Sequence, residues 1–415
     1  MLQEFKPVLK NKNFLYIWIS QIFSQLTINI MNFVFLIRLF EVTGSAISTS
    51  LLWVAYALPA ILIGPFASGA VDLVDRRKML IITNLLQSLT IFLYAIAYKS
   101  NIFLLYEVVF VYSLINQFYV PAEAATLPSV LSKEKLAHGN SLFFITQQGS
   151  IVLGFAIAGL LNGLLGFNNT LFLCSFFLFI AFASTMLLPK LTPNNQIPKK
   201  FETAVFGFFR HIAEGYDYIK NDRKILTPFL LLIGFQAALQ VAVVQVPIIA
   251  KNILYIPLNS AGVFILVPAG IGAILGALIM PKLLKKQFRK KQIINAALLT
   301  TGISIFVLAF IIPVFTASWV RVILAFISVL LLGLSFVGIL VPSQTFLQES
   351  TPPDLRGRVF GNTWFLVTVA SVVPVVFSGS LAEIFGIKFL LLILSLFAFG
   401  ILFVSKRFGD RFLSG

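Results

Sequence analysis

Four amide side chains near the start of the chain, Gln21, Gln25, Asn29 and Asn32, are spaced four, four and three residues apart. On a helix that spacing gathers them on one face. Their neighbours are apolar, so an amide left without a partner there would cost free energy. Such a row can bond to another helix or line a water-filled cavity that binds a polar ligand. As a set it reads as a cavity lining. Other apolar stretches carry similar groups: Asn116 beside Tyr112, Ser113 and Gln117; Gln147 beside Gln148; Gln236 and Gln240, four apart; and Ser335, seven residues after Ser328.

A few ionisable residues share this setting. Arg38, Glu107 and Arg321 lie near the ends of apolar runs. A Glu107–Arg38 or Glu107–Arg321 pair would make a gate that breaks on opening. Alternatively, each side chain reaches out to lipid headgroups. Glu123 follows Pro121 by two residues. It is open to two roles, as a proton carrier or as an acceptor for nearby helix termini. Glu41 and Glu383 read as interfacial. No nucleophile with a base and orienting partner, no metal-ligand spacing and no glycine-rich nucleotide loop is visible, so neither an enzyme nor a cofactor is expected. Cys174 is the single cysteine, and His138 and His211 are the only histidines.

The elements that must position these groups follow from composition. Of 415 residues, 59% are hydrophobic and 11% charged. Soluble domains run near 45–50% and about 25%. The excess of apolar surface excludes a soluble enzyme, a disordered chain and a secreted disulfide scaffold, and points to an all-α polytopic membrane protein. Its apolar runs are continuous rather than alternating, which favours helices over a barrel. Twelve transmembrane helices are expected near 14–39, 46–70, 79–98, 102–127, 139–163, 170–188, 226–250, 260–281, 292–314, 318–346, 359–382 and 388–405. With both termini on one side, that side holds all 31 basic residues except Arg38, Lys99, Lys251, Arg321 and Lys388. Basic loops mark the cytoplasmic face, so both termini are expected in the cytoplasm. The net charge of +16 is read as this topology signal, not as nucleic-acid binding. No removable signal peptide is read at residues 1–13.

Six spans precede the polar stretch 190–224 and six follow. The expected organisation is therefore an N-terminal bundle (1–189), a cytoplasmic linker (190–224) and a C-terminal bundle (225–415). Residues 210–220 could form an interfacial helix. An internal repeat supports the division. Gly139-Asn140-Ser141-x-Phe143-x-x-Thr146 returns as Gly361-Asn362-Thr363-x-Phe365-x-x-Thr368, and Val120-Pro121 as Val341-Pro342. Arg76-Arg77-Lys78 returns in type as Arg289-Lys290-Lys291, in the same order and at a similar offset. Two related halves with a site between them are a common transporter plan. Gly262, Gly270, Gly272 and Gly276 would allow close helix approach. Pro59, Pro247, Pro268 and Pro374 are expected to kink their spans.

The stretch Gly69-Ala70-Val71-Asp72-Leu73-Val74-Asp75-Arg76-Arg77-Lys78 resembles the loop signature of the major facilitator superfamily. Three further stretches resemble its macrolide-efflux and siderophore-exporter branch: Tyr119-Val120-Pro121-Ala122 with Leu127-Pro128, Leu136 with Gly139-Asn140-Ser141-Leu142, and Gln348-Glu349 with Pro353-Asp354-Leu355-Arg356-Gly357-Arg358-Val359-Phe360-Gly361. The resemblance implies two pseudo-symmetric six-helix bundles whose first, fourth, seventh and tenth spans line the cavity. It also implies a conformational latch made by Gly69, Asp72, Asp75, Arg76 and Arg77 with the start of span eleven at Arg356 and Arg358. There are departures. Ser24-Gln25-Leu26-Thr27-Ile28-Asn29 lacks the branch's first-span carboxylate, Gly154-Phe155-Ala156-Ile157-Ala158-Gly159 lacks the antiporter Gly-Pro, and the fourth-span arginine of drug antiporters is missing.

The expected function is a secondary transporter working by alternating access in a bacterial inner membrane. It would be a monomer exporting an amphiphilic, drug-like or siderophore-like molecule, with protons as candidate coupling ions. A different class of function is a non-transporting membrane scaffold with the same fold. A passive channel is disfavoured by the lack of a ring of like charges.

Overall fold

A computed structural model describes residues 2–71, 74–97, 101–191, 210, 219–220, 223–285, 289–350 and 353–407. The described residues are almost entirely helical. In lipid no water is present to satisfy backbone groups, and a helix satisfies its own. The helices are α1 (Leu2–Leu9), α2 (Lys12–Thr43), α3 (Ala46–Leu62), α4 (Gly64–Val71), α5 (Arg76–Ala97), α6 (Leu104–Val130) and α7 (Lys133–Met186). After the linker come α8 (Arg223–Val244), α9 (Val246–Ile249), α10 (Val267–Lys285), α11 (Lys290–Phe306), α12 (Ser318–Ser350), α13 (Pro353–Ile384) and α14 (Ile387–Arg407). Helix α7 is broken at Gly166, whose φ of +78° only glycine adopts readily. That break falls between the fifth and sixth expected spans.

All twelve expected segments fall largely on helix. Eight described helices are long and apolar enough to cross a membrane. A ninth span arises if Pro228–Val244 and Val246–Leu254, bent by 55°, are taken together. Pro247 follows that bend, as its missing N–H predicts. The expected interfacial helix at 210–220 lies mostly outside the described residues.

Local chemistry sets the helix ends. The Asn11 Oδ1 accepts the backbone N–H of Asn13 (3.0 Å) and Phe14 (3.3 Å), opening α2. Gly44, at φ +62°, closes it. Outward faces carry large apolar residues such as Leu93, Ile96, Leu164 and Phe176, as a lipid-facing surface requires.

The chain divides into two compact units: unit 1 (Met1–Arg38 and Ala55–Phe209) and unit 2 (Leu39–Val54 and Arg210–Gly415). In unit 1, Ile17, Val71, Leu80, Tyr119, Ala122 and Leu188 form one apolar cluster. In unit 2, Leu231, Phe235, Ile294, Leu298, Ile339 and Leu402 do the same. Unit 2 also holds a very close helix crossing. A Cβ on Gly272 of α10 would lie 1.9 Å from the Leu330 carbonyl oxygen of α12, and one on Gly333 would lie 1.9 Å from that of Ala269. Only glycine at both places lets the backbones meet.

Candidate functional site

Unit 1 has a polar interior built by three helices. Ser20 and Ser24 stand one turn apart on α2, Asn84 and Gln87 one turn apart on α5, and Tyr119 and Glu123 one turn apart on α6. All six are buried. The Tyr119 hydroxyl donates to the Glu123 carboxylate at 2.7 Å and lies 3.3 Å from the Ser20 hydroxyl. Asn84 Nδ2 donates to Ser20 Oγ (3.1 Å), while Ser24 Oγ donates to Asn84 Oδ1 (3.2 Å). One turn along α5, Gln87 Nε2 donates to Asn116 Oδ1 at 3.3 Å, and Asn116 also bonds to the Tyr56 side chain of α3. Ser88 and Ser175 exchange hydrogen bonds between α5 and the second half of α7. Glu123 is the only buried ionisable Asp, Glu, Lys, Arg or His among the described residues. A carboxylate enclosed in this way is expensive and a functional candidate by default. Its hydrogen bond goes to Tyr119, not to a helix terminus.

The expected cavity row on α2 comes out differently. Gln21 is buried and donates Nε2 to the Phe143 carbonyl of α7 at 3.2 Å. Asn29 is buried too, its Cβ packed where a side chain on Gly154 of α7 would lie, and its Nδ2 donates to the Gln25 carbonyl at 2.7 Å. Both amides therefore bond to backbone carbonyls, on α7 for Gln21 and on α2 itself for Asn29. Gln25 and Asn32 are half-buried. Asn116 is half-buried and held inside unit 1 by Gln87. Gln147 is exposed, and Gln236 and Gln240 are half-buried. Ser335 is fully buried with no partner for its hydroxyl. Periodicity identifies a polar face but not the surface that the face meets.

The charged residues near the ends of the apolar runs have other neighbours. Arg38 lies over the Phe167 ring at 5.5 Å and Arg321 over Tyr255 at 4.9 Å. Glu107 is exposed, and no Glu107–Arg38 ion pair forms among the described residues.

The expected latch loop is tied down within unit 1. Asp75 caps its own helix, accepting the Arg77 N–H at 2.9 Å, and also accepts the Leu191 N–H at 3.3 Å. Arg76 Nη1 donates to the Ala125 carbonyl (3.1 Å) and Ser129 Oγ (3.0 Å) of α6. Arg77 Nη2 donates to the Met186 carbonyl at the end of α7, 2.7 Å away. The described members therefore staple α5 to α6 and α7. Asp72 lies outside the described residues. So do the side-chain surroundings of Gly69 in α4 and of Arg356 and Arg358 in α13. In unit 2 the related loop pairs Lys290 with Glu349 of α12.

Sequence reading missed Ser20, Ser24, Asn84, Gln87 and Tyr119 as one cluster. The signal was present as three pairs of polar residues, each a turn apart within an apolar helix. It did not say that the three pairs converge.

Long apolar helices with a polar, partly ionisable interior mark an integral membrane protein. The sequence profile of the Major Facilitator Superfamily matches residues 17–374, and the chain belongs to that family. It is 24% identical over 393 residues to the uncharacterized MFS-type transporter YfiS of Bacillus subtilis (strain 168), covering 94% of this chain and 91% of that one. It is also 24% identical over 390 residues to macrolide efflux protein A of Streptococcus pyogenes, covering 90% of each. The crystal structure of the nucleoside transporter NupG superposes with a TM-score of 0.74 at 13% identity, covering 95% of this chain and 98% of that one. The last likeness concerns fold alone.

Proposed function

We propose that the chain is a secondary active exporter of amphiphilic small molecules, working by alternating access and driven by proton antiport through Glu123. The observation that carries this reading is the Glu123–Tyr119 pair, enclosed in unit 1 and bonded onward to α2 and α5. A carboxylate in such a place can hold a proton in one conformation and release it in another. One charge crossing 100 mV is worth about 2.3 kcal/mol, enough to bias two states a few kcal/mol apart. The efflux relative at 24% identity supports the direction and substrate class. The half-buried amides Gln25, Asn32, Gln236 and Gln240 are the remaining candidates for substrate contact.

In this reading the twelve segments span the membrane as two pseudo-symmetric six-helix bundles, 1–189 and 225–415. The protein sits as a monomer in a bacterial inner membrane with both termini cytoplasmic. Arg38, Glu107 and Arg321 act near the outer side. The Asp75-Arg76-Arg77 loop keeps unit 1 rigid, and it acts as a latch only through members beyond those described above.

The test is efflux from proteoliposomes under an imposed pH gradient, with ethidium and a macrolide as probes. Wild-type efflux should rise with the gradient. Glu123→Gln should remove that dependence while Glu107→Gln retains it. Gradient-dependent efflux by Glu123→Gln would refute the coupling role. No flux of either probe, nor of a broader panel, would favour the scaffold.

A further inference from the structure

The hairpin Leu39–Val54 groups with unit 2, although the rest of α2 and α3 belongs to unit 1. Chain continuity alone would keep it with unit 1, so specific contacts must hold it. Three are visible. First, Lys251, in the π-helical turn that follows α9, places its Nζ over the Phe40 ring at 5.6 Å. Second, the Glu383 carboxylate near the end of α13 accepts the Ser45 hydroxyl at 2.7 Å and the Ile47 backbone N–H at 3.1 Å. Third, Gly379, one turn earlier on α13, leaves room for the hairpin. A Cβ there would lie 2.5 Å from Ser50 Oγ and 2.8 Å from the Ala46 carbonyl oxygen.

The Glu383 contact is chemically distinctive. Helix α3 opens at Ala46 with Ser45 as its cap, and Ser45 Oγ accepts the Ser48 N–H at 3.2 Å. A single capping oxygen leaves other first-turn donors unmet. Glu383 supplies an acceptor for the next one, at Ile47, and holds the capping hydroxyl itself. Its negative charge also lies at the helix end where the backbone dipoles favour an anion. A carboxylate 338 residues away thus completes a helix cap that local sequence leaves half finished.

We propose that Glu383 is a clasp: it holds the Leu39–Val54 hairpin on α13 and sets the balance between a docked and a released hairpin. Release would let the hairpin move with the remainder of α2 and α3. The clasp's place in transport, as the outer-side release step, rests on the alternating-access reading. The clasp itself does not.

The experiment uses the full chain in detergent, without substrate. Cys174 is replaced by Ala and Ser50, which is buried against Gly379, becomes the only thiol as Ser50→Cys. Reaction with a hydrophilic maleimide is followed by mass shift. Glu383→Ala should speed labelling about fivefold, the size expected for losing a charge-assisted bond at an exposed site. Gly379→Ala, which wedges the same contact, should also speed it. Unchanged labelling in Glu383→Ala would overturn the clasp. So would equal acceleration at native Cys174 in a Glu383→Ala chain that keeps it, since that would mean general loosening. Neither readout depends on efflux, so failure of the exporter reading leaves this result standing.

Discussion

The interiors of the two units differ in where a polar network and where close backbone packing dominates. Unit 1 joins its helices through side-chain hydrogen bonds: Ser20 and Ser24 to Asn84, Gln87 to Asn116, Ser88 to Ser175, and Tyr119 to Ser20. Unit 2 also uses side-chain bonds, from Gln245 to Ser378, Ser405 to Asn295 and Ser395 to the Gly302 carbonyl, but it joins α10 to α12 by glycine-to-backbone contact, and the buried hydroxyls of Ser335 and Ser343 on α12 have no partner. Unit 2 also contains three π-helical turns, at Ala250–Leu254, Gly262–Leu266 and Val307–Ile311. Helix α5 of unit 1 is regular throughout. A hydrogen-bonded interior can take up or lose a proton by reorienting donors. A glycine-packed interior has little room for such change, since close-packed backbones resist small shifts. The comparison puts the ionisable chemistry in unit 1 and gives unit 2 the closer packing.

Breaking the close crossing should have the largest effect. Gly272→Val adds three carbons where even one would overlap the Leu330 carbonyl. Overpacking commonly costs about 1–3 kcal/mol and more when backbone must move. The variant is expected to lose most folded protein, seen as a collapse of the monodisperse peak in fluorescence-detected size exclusion. A Gly154→Ala change in unit 1 should be milder, because its added Cβ would lie 2.6 Å from the Asn29 Cβ rather than 1.9 Å from a carbonyl oxygen.

Much of the fold was legible in the sequence, and the reasons differ by feature. Span positions follow from continuous apolar runs, since a helix in lipid needs no partner to satisfy its backbone. The helix ends at Asn11 and Gly44 and the break at Gly166 were not singled out from sequence, although their residue types carry strong capping or backbone preferences. Glu123 stood out because a carboxylate in an apolar run is rare. The partners were not legible. Gln21 and Asn29 share a helical face with Gln25 and Asn32, yet the first two meet α7. Only the crossing geometry of α2 and α7 decides that. Glu383 read as interfacial, but no local pattern links it to Ser45.

The polar interior of unit 1 gives the second effect. Tyr119→Phe removes the donor to Glu123 and leaves the carboxylate buried without that bond. This bond lies within α6 rather than between helices, and a typical hydrogen bond contributes about 0.5–1.5 kcal/mol. A loss of about 1 kcal/mol is expected, read as a lower Tm with a thiol-reactive dye. Cys174 is buried and is the chain's only thiol, so the dye reports the opening of unit 1. Tyr119→Phe combined with Glu123→Gln should recover part of the loss, because the amide is easier to leave unpaired. If the double variant is less stable than Tyr119→Phe alone, the two groups do not act as a pair.

The related loops supply the smallest and most discriminating comparison. In unit 1, Asp75 caps α5 from within and also holds Leu191, so Asp75→Ala should cost about 1 kcal/mol. In unit 2 the corresponding loop relies on the Lys290–Glu349 ion pair, with the two side chains 26% and 61% exposed. Exposed pairs contribute about 0–1 kcal/mol and weaken with salt. Glu349→Gln should therefore change the unfolding midpoint by less than Asp75→Ala does, and adding salt to about 0.5 M should shrink its effect. Asp75→Ala should respond less to salt, because its bonds go to backbone N–H groups rather than to a counter-charge. An equal salt response in both variants would show that the two loops, similar in sequence, hold their units by the same electrostatics after all.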